Sequence, residues 1–253
     1  MRFEGRSAII TGGGTGIGEA TALLLARNGA RVLIAGRREE KLKEVCEKAE
    51  EEGLSIAYKV CDVSVESDCA ATVEAGLSEH GKIDILFNNA GIIFSGPLHE
   101  VETERFQQIF DINVRGAFMM CKYAIPHMIS AGRGFIVNNS SVIGLKGFAG
   151  LSAYSASKGA LVQLTRSMAL EYADKGLRIN AVCPGGVWTP MFDSYLERAE
   201  DADAALAFME SLHPMGRLAY PFEIAEAVLF LCDEKAMFNT GSMLSIDGGI
   251  IAK

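Results

Sequence analysis

The stretch Ser7-Ala8-Ile9-Ile10-Thr11-Gly12-Gly13-Gly14-Thr15-Gly16-Ile17-Gly18 decides how this chain folds. A short apolar run gives way to a glycine-rich turn, and a helix-period pattern sets in at Ile17. An apolar run of this length closed by glycine reads as a buried strand, and glycine lets the backbone turn sharply into a helix. The same unit recurs outward from it. Ala8–Ile10, Arg31–Ala35, Ser55–Tyr58, Ile83–Phe87, Phe135–Asn138, Leu177–Val182 and Met243–Ile246 read as strands. Helix-period stretches lie between them, at about 17–28, 38–52, 66–80, 102–129, 153–174 and 221–232. Strands alternating with helices imply right-handed crossovers and a parallel sheet covered on both faces. The expected fold is a single α/β domain over 1–253, a Rossmann-type doubly wound sheet of about seven strands, because no linker, repeat or composition break divides the chain.

Composition narrows the function classes. The chain has 253 residues, a hydrophobic share of 49% and a formal net charge of −8. That suits one large packed domain and argues against disorder. The acidic balance provides no field for nucleic-acid phosphates or anionic lipid, so neither is an expected partner. No apolar run approaches the roughly 18 residues that cross a bilayer. Met1–Gly5 leads straight into Ser7–Ile10 and glycines, with no signal-peptide pattern, so the expected location is the cytoplasm. The six cysteines form no C-x-x-C pair and are expected as free thiols. The four histidines, His80, His99, His127 and His213, lack metal-ligand spacing, so no metal is expected; they read as surface or packing residues.

A glycine-rich turn at the mouth of a helix suits a pyrophosphate, because the backbone can approach it closely and its charge faces the helix N-terminus. The pattern here is T-G-x-x-x-G-I-G rather than G-x-G-x-x-G. Further along come Asp62-Val63, Asn88-Asn89-Ala90-Gly91, Asn113, Ser140-Ser141, Tyr154-Ser155-Ala156-Ser157-Lys158, Pro184-Gly185, Thr189 and Asp247-Gly248-Gly249. In this order and spacing, over essentially its whole length, the chain resembles the short-chain dehydrogenase/reductase family. The resemblance implies a nicotinamide dinucleotide held by Gly12, Gly14, Thr15, Gly16, Ile17 and Gly18. It adds Asp62 and Val63 at the adenine, Asn89, Ala90 and Gly91 along the cofactor, and Pro184, Gly185, Val187 and Thr189 after the sixth strand. It also implies a catalytic set of Asn113, Ser141, Tyr154 and Lys158.

The chemistry suits these residues. Hydride transfer to a carbonyl leaves an alkoxide that needs a proton, and tyrosine, with an ordinary pKa near 10, needs help to supply it at neutral pH. Tyr154 and Lys158 stand i and i+4 on one helix face, so the ammonium is expected to lower the tyrosine pKa. By resemblance Lys158 also holds the nicotinamide ribose, and Asn113 anchors a water linking Lys158 to solvent. Ser141 would hydrogen-bond the substrate oxygen. A non-catalytic dinucleotide-binding regulator is the alternative of a different class, and the filled catalytic positions argue against it.

The second strand ends in Gly36-Arg37-Arg38, where an NAD enzyme usually carries Asp or Glu. Lacking that carboxylate and offering guanidinium groups, the site favours NADP(H), with NAD(H) still open. Arg38 could equally be a solvated residue opening the next helix. Many NADP-preferring relatives carry a second basic residue in the glycine loop, where this chain has Thr15. The segment at about 189–214 is the expected substrate lid, with Trp188 beside it and Met191, Phe192, Tyr195, Leu196, Leu206, Phe208 and Met209 within it. Phe94, Ile143, Leu145, Phe148 and Leu151 flank the catalytic set. Such a lining suits an apolar or alicyclic, hydroxysteroid-like ketone or secondary alcohol. The alternative is a 3-oxoacyl-thioester reductase of fatty-acid synthesis, against which the lid's Asp193, Glu197, Glu200, Asp201, Asp203 and Glu210 count by repelling an acidic carrier protein. Phe118, Met119, Leu161, Leu164 and Met168 on the two long helices suit a homotetramer or homodimer, although packing within the subunit would explain several of them.

Overall fold

The computed structural model describes residues 1–253. Its strands are β1 (Ser7–Thr11), β2 (Arg31–Gly36), β3 (Ile56–Val60), β4 (Ile85–Asn88), β5 (Gly134–Asn139), β6 (Leu177–Pro184) and β7 (Met243–Ile246). Its helices are α1 (Gly16–Arg27), α2 (Glu39–Glu51), α3 (Glu66–His80), α4 (Thr103–Phe110), α5 (Gly116–Ser130), α6 (Ser152–Tyr172), α7 (Pro190–Leu196), α8 (Ala202–Leu212) and α9 (Pro221–Cys232). The seven strands form one sheet in the order β3-β2-β1-β4-β5-β6-β7, and every pairing is parallel. Strand order reverses between β1 and β4. A crevice therefore opens beyond their carboxyl ends, which is where such sheets hold ligands.

Successive side chains of each strand enter different layers. Ile10, Phe87 and Val137 join Leu25, Leu42, Ile224 and Val228 under α1, α2 and α9. Ile9, Leu86 and Ile136 join Val73, Met119, Met120 and Met168 under α3, α5 and α6. Both faces are covered, which explains why the inner strands read as continuous apolar runs.

Two expectations change. The helical stretch at 102–129 is not continuous: a π-helical turn, Asp111–Arg115, separates α4 from α5 and contains Asn113. Such turns insert a residue and rotate the side chains beyond it, often at functional sites. Met119 is 1% exposed, and Leu161 and Met168 are likewise buried, so they belong to the subunit's own core rather than an outward face. Leu164 packs partly buried against the same core, and of the five only Phe118, at 50% exposure, faces outward.

Candidate active site

The loop after β1 is shaped by what a Cβ would hit. On Gly18 it would lie 2.2 Å from the Gly12 carbonyl oxygen and 2.6 Å from Asn89 Nδ2, so only glycine fits. Gly16, at φ +58°, takes the left-handed turn that starts α1. Thr15 is the N-cap of α1 and makes no side-chain cap, which leaves N–H groups of the first turn for a ligand. Gly14 is half-buried beside Lys41, and Ile17 packs against the core below. The backbone-lined cradle and the positive helix end fit a dinucleotide pyrophosphate.

Asn89 joins this loop to β4. Its Nδ2 donates to the carbonyls of Thr11 and Gly12, each at 3.0 Å, and its Oδ1 accepts from Asn139 Nδ2 at 2.9 Å. Thr11 Oγ1 accepts from the N–H groups of Asn89 and Ala90 at 3.0 and 3.1 Å. Asn88 turns inward: its Nδ2 donates to Asn138 Oδ1 at 2.9 Å, and Asn138 Nδ2 donates to Thr165 Oγ1 at 2.8 Å. This buried chain ties β4 and β5 to α6. Gly91 lies beside Asn113 and Lys158, with room for a Cβ only at 3.3 Å from Asn113 Oδ1.

Tyr154 and Lys158 share one face of α6, and Ser141 follows β5 next to them; all three are buried. Ser140 Oγ donates to the Lys158 carbonyl at 2.9 Å and fixes the helix at that residue. Lys158 Nζ donates to the Asn139 carbonyl at 2.6 Å and lies 5.6 Å from the Tyr154 ring centroid. Ser141 Oγ accepts from Ile143 N–H at 3.2 Å and makes a long contact, 3.4 Å, to the Pro184 carbonyl. Asn113 uses its whole side chain: Oδ1 accepts from Ile92 N–H at 2.8 Å, while Nδ2 donates to the Ile92 carbonyl at 2.9 Å and to Ser157 Oγ at 3.1 Å. The π-helical turn thus aims Asn113 at the strand end above the crevice and at α6.

The electrostatics correct one expectation. Burial pushes the Tyr154 phenol up to about 12, against a smaller opposing pull from the Ser141 hydroxyl. Burial also brings the Lys158 ammonium down to about 8, with the neighbouring Cys183 opposing. Desolvation sets the direction of the tyrosine shift, and the Lys158 ammonium is spent on the Asn139 carbonyl.

At the other end of the crevice, a cavity of about 490 Å³ is lined by Arg37, Asp62, Ser64 and residues of α4. Burial alone would raise the Asp62 carboxyl, but the Ser64 hydroxyl and N–H and the Arg37 guanidinium hold it below its ordinary value. Val63 is buried and wedged against Gly116, so its side chain serves the core. A Cβ on Gly36 would meet only Leu42, at 3.5 Å. Arg38 Nη2 donates to Thr15 Oγ1 at 3.5 Å, so this guanidinium leans over the glycine loop. Beyond β6, Pro184 and Gly185 lead to Val187, which is buried and bridges to Ala219, and Thr189 takes the N-cap position of α7 without a side-chain cap, its hydroxyl donating back to the Val187 carbonyl at 3.3 Å. Phe192 is buried between Trp188 and Tyr195, with ring centroids 5.3 and 5.7 Å away, and so packs the segment itself.

The sequence reading gave no site role to Thr11, Asn139, Ser157 or His213. Each acts through hydrogen bonds to residues far along the chain, which no local motif announces. His80 and His213 are buried and hydrogen-bonded, to Ser7 and Gly186 respectively, so they are structural rather than surface groups.

A dinucleotide-shaped cradle beside a buried Ser-Tyr-Lys cluster defines an oxidoreductase on a Rossmann sheet. The chain belongs to the short-chain dehydrogenase/reductase family. Residues 12–251 match a family model described as enoyl-(acyl carrier protein) reductase. The chain is 44% identical over 253 residues to 2,5-dichloro-2,5-cyclohexadiene-1,4-diol dehydrogenase of Sphingobium indicum strain B90A, covering 99% of this chain and 98% of that protein. It is 38% identical to cyclohexanol dehydrogenase of an Acinetobacter species, covering 100% of this chain and 97% of the relative. Among solved structures it is similar to levodione reductase, with a TM-score of 0.96, 36% identity and 99% coverage of both chains. The protein is thus an alcohol dehydrogenase/ketone reductase that uses a nicotinamide dinucleotide. No helix is long and apolar enough to cross a membrane.

Proposed function

We propose that this protein interconverts a six-membered-ring ketone and the corresponding secondary alcohol, using NADP(H), with Tyr154 as the acid/base. The single observation that carries the reaction is the buried Ser141-Tyr154-Lys158 cluster at the carboxyl end of the sheet, next to the glycine cradle. Relatives named for cyclohexanol and a cyclohexadiene diol support the alicyclic substrate. The apolar side chains of Ile92 and Ile143, partly exposed on residues bonded to Asn113 and Ser141, suit such a ring. Against a carrier-protein-bound substrate stand Asp193, Glu197, Glu200, Asp201 and Asp203, all exposed on the 189–214 segment, which we read as the lid.

The bound dinucleotide supplies or accepts the hydride. The chain's own residues handle the proton and the geometry. A phenol with a pKa near 12 is neutral at physiological pH and ready to donate its proton to a carbonyl oxygen as that oxygen gains charge. Ser141 Oγ, already oriented by Ile143 N–H, donates a second hydrogen bond to the same oxygen. Lys158 is held at the Asn139 carbonyl, between Tyr154 and Gly91, where it would meet the nicotinamide ribose. Asn113 holds the Ile92 backbone at one wall, and its water-linked relay to solvent belongs to the same proposal.

For NADP(H), the support is geometric. Gly36 carries no carboxylate, Arg37 lines the cavity at the adenosine end, and Arg38 leans over Thr15. Arg38 therefore supplies from the strand end the charge that other members place in the loop itself. Parallel titrations with NADPH and NADH test this, and tighter binding of NADH would refute it. A panel of cyclic ketones, steroids, sugars and 3-oxoacyl thioesters followed at 340 nm tests the substrate, and a preference for the thioester would overturn the ring reading. We further propose a homotetramer or homodimer, supported by outward-facing Phe118 on α5 and Phe222 and Phe230 on α9. A monomeric sedimentation coefficient would contradict it.

A further inference from the structure

We propose that His213 is a positioning residue that locks the loop after β6 to the foot of α8, and so sets the nicotinamide end of the dinucleotide site. The proposal rests on the reading above that Pro184–Thr189 borders the dinucleotide.

His213 directly follows the last residue of α8 and is 3% exposed. Its Nδ1 lies 2.8 Å from the Met209 carbonyl, and its Nε2 lies 2.9 Å from the Gly186 nitrogen. A carbonyl only accepts, so the ring proton belongs on Nδ1; Nε2 is then left to accept from Gly186 N–H. Both contacts are satisfied only by the neutral ring in this one tautomer. The ring also fills the space beside two glycines. A Cβ on Gly185 would come within 2.8 Å of Nε2, and one on Gly186 within 2.9 Å of Cε1. On its other side a Cβ on Gly248 would lie 3.4 Å from His213 Cβ, and Met215 N–H donates to the Gly248 carbonyl at 3.1 Å. One imidazole therefore joins three pieces: the foot of α8, the loop after β6 and the turn after β7.

Gly186 is held from both directions. Its N–H donates to His213, and its carbonyl accepts from Ala219 N–H at 2.9 Å. The Ala219 carbonyl in turn accepts from Trp188 N–H at 2.9 Å. Removing the imidazole acceptor leaves a backbone N–H without its partner and a void beside two glycines, and the loop relaxes into that void. The Gly185-Gly186 pair then loses the side chain that crowds both of its residues, and only Leu218 still stands against Gly186.

The chain carries its own reporter, since Trp188, its one tryptophan, lies two residues beyond Gly186. Three variants separate the lock from a general packing role. His213→Leu fills the space without an acceptor. His213→Gln carries an acceptor at about the reach of Nε2, and His213→Asn stops at about the reach of Nδ1. Trp188 emission is measured on each protein, together with kcat and the dinucleotide KM for NADPH and NADH separately.

The expected result for His213→Leu is a shifted Trp188 emission and a dinucleotide KM raised roughly tenfold, with kcat changed less. His213→Gln should bring both KM and emission back toward the parent, and His213→Asn should not. Wild-type emission and KM in His213→Leu would overturn the proposal. So would equal behaviour of the Gln and Asn variants, which decides the matter if the Leu variant does not fold. Emission that moves in His213→Leu and returns in His213→Gln while KM stays fixed would refute the placing of the dinucleotide at this loop and leave the lock standing.

Discussion

Replacing Lys158 by methionine should give an inactive protein that is more stable than the parent at neutral pH. The lysine is buried, and its pKa falls from 10.5 to about 8. Above about pH 10.5 the amine is neutral whether the chain is folded or not, and burying it carries no charge penalty. Between about 8 and 10.5 the unfolded chain binds a proton that the folded one refuses, so stability drops as pH falls through that window. At pH 7 the loss is about 3 kcal/mol, and at pH 9 about 2 kcal/mol, at 1.36 kcal/mol per pKa unit. Methionine keeps most of the stem and removes the charge. It also removes the 2.6 Å bond to the Asn139 carbonyl, which returns about 1 kcal/mol of the gain. The net expectation is a stabilisation of about 2 kcal/mol at pH 7 that shrinks to about 1 kcal/mol at pH 9. Guanidinium unfolding of both proteins, without dinucleotide, at the two pH values reads this directly. The two pH values, 7 and 9, both lie below the ordinary tyrosine pKa of 10.0, so Tyr154 does not contribute to the comparison. A variant less stable than the parent at pH 7, or a difference that does not change by pH 9, would refute the burial argument.

Tyr154→Phe should lower kcat by at least about a hundredfold while dinucleotide binding survives, and undiminished turnover would remove Tyr154 from its role. Because burial raises the phenol to about 12, alcohol oxidation, which needs the phenolate, should accelerate from pH 7 to pH 10. Ketone reduction, which needs the phenol, should not accelerate with it, and matching pH profiles in the two directions would contradict this. Gly18→Ala drives a methyl to 2.2 Å from the Gly12 carbonyl, so it should lose about 1–3 kcal/mol of stability and weaken dinucleotide affinity together. Parent-like melting and affinity would show that the loop can yield.

Much of the fold was legible because its signals are local. The apolar runs of β1, β4 and β5 are continuous since both faces are covered, and α9 reads directly from Pro221 to Cys232. The candidate site was legible to the extent that short-range geometry builds it. Tyr154 and Lys158 share a face by helical period alone, and the glycines after β1 precede a helix in the chain itself.

Other properties depend on what folding brings alongside. The π-helical turn at Asn113 is stabilised by contacts to Ile92 and Ser157, residues 21 and 44 positions away. Met119 and Phe118 are neighbours in sequence with the same apolar character, and only the packing of α5 decides that one is core and the other surface. The tyrosine pKa depends on how much water the surrounding chain removes, which the i, i+4 spacing to Lys158 cannot report. His213 looks like any histidine until Gly186 is brought to it across 27 positions. By itself, then, the sequence determined the sheet, the glycine cradle and the identity of the reacting side chains, because these follow from periodicity and from the chemistry of residue types. Tertiary structure alone decided the protonation of those side chains, the aim of Asn113 and the fastening of the loop after β6, because each depends on desolvation or on a hydrogen bond between distant segments.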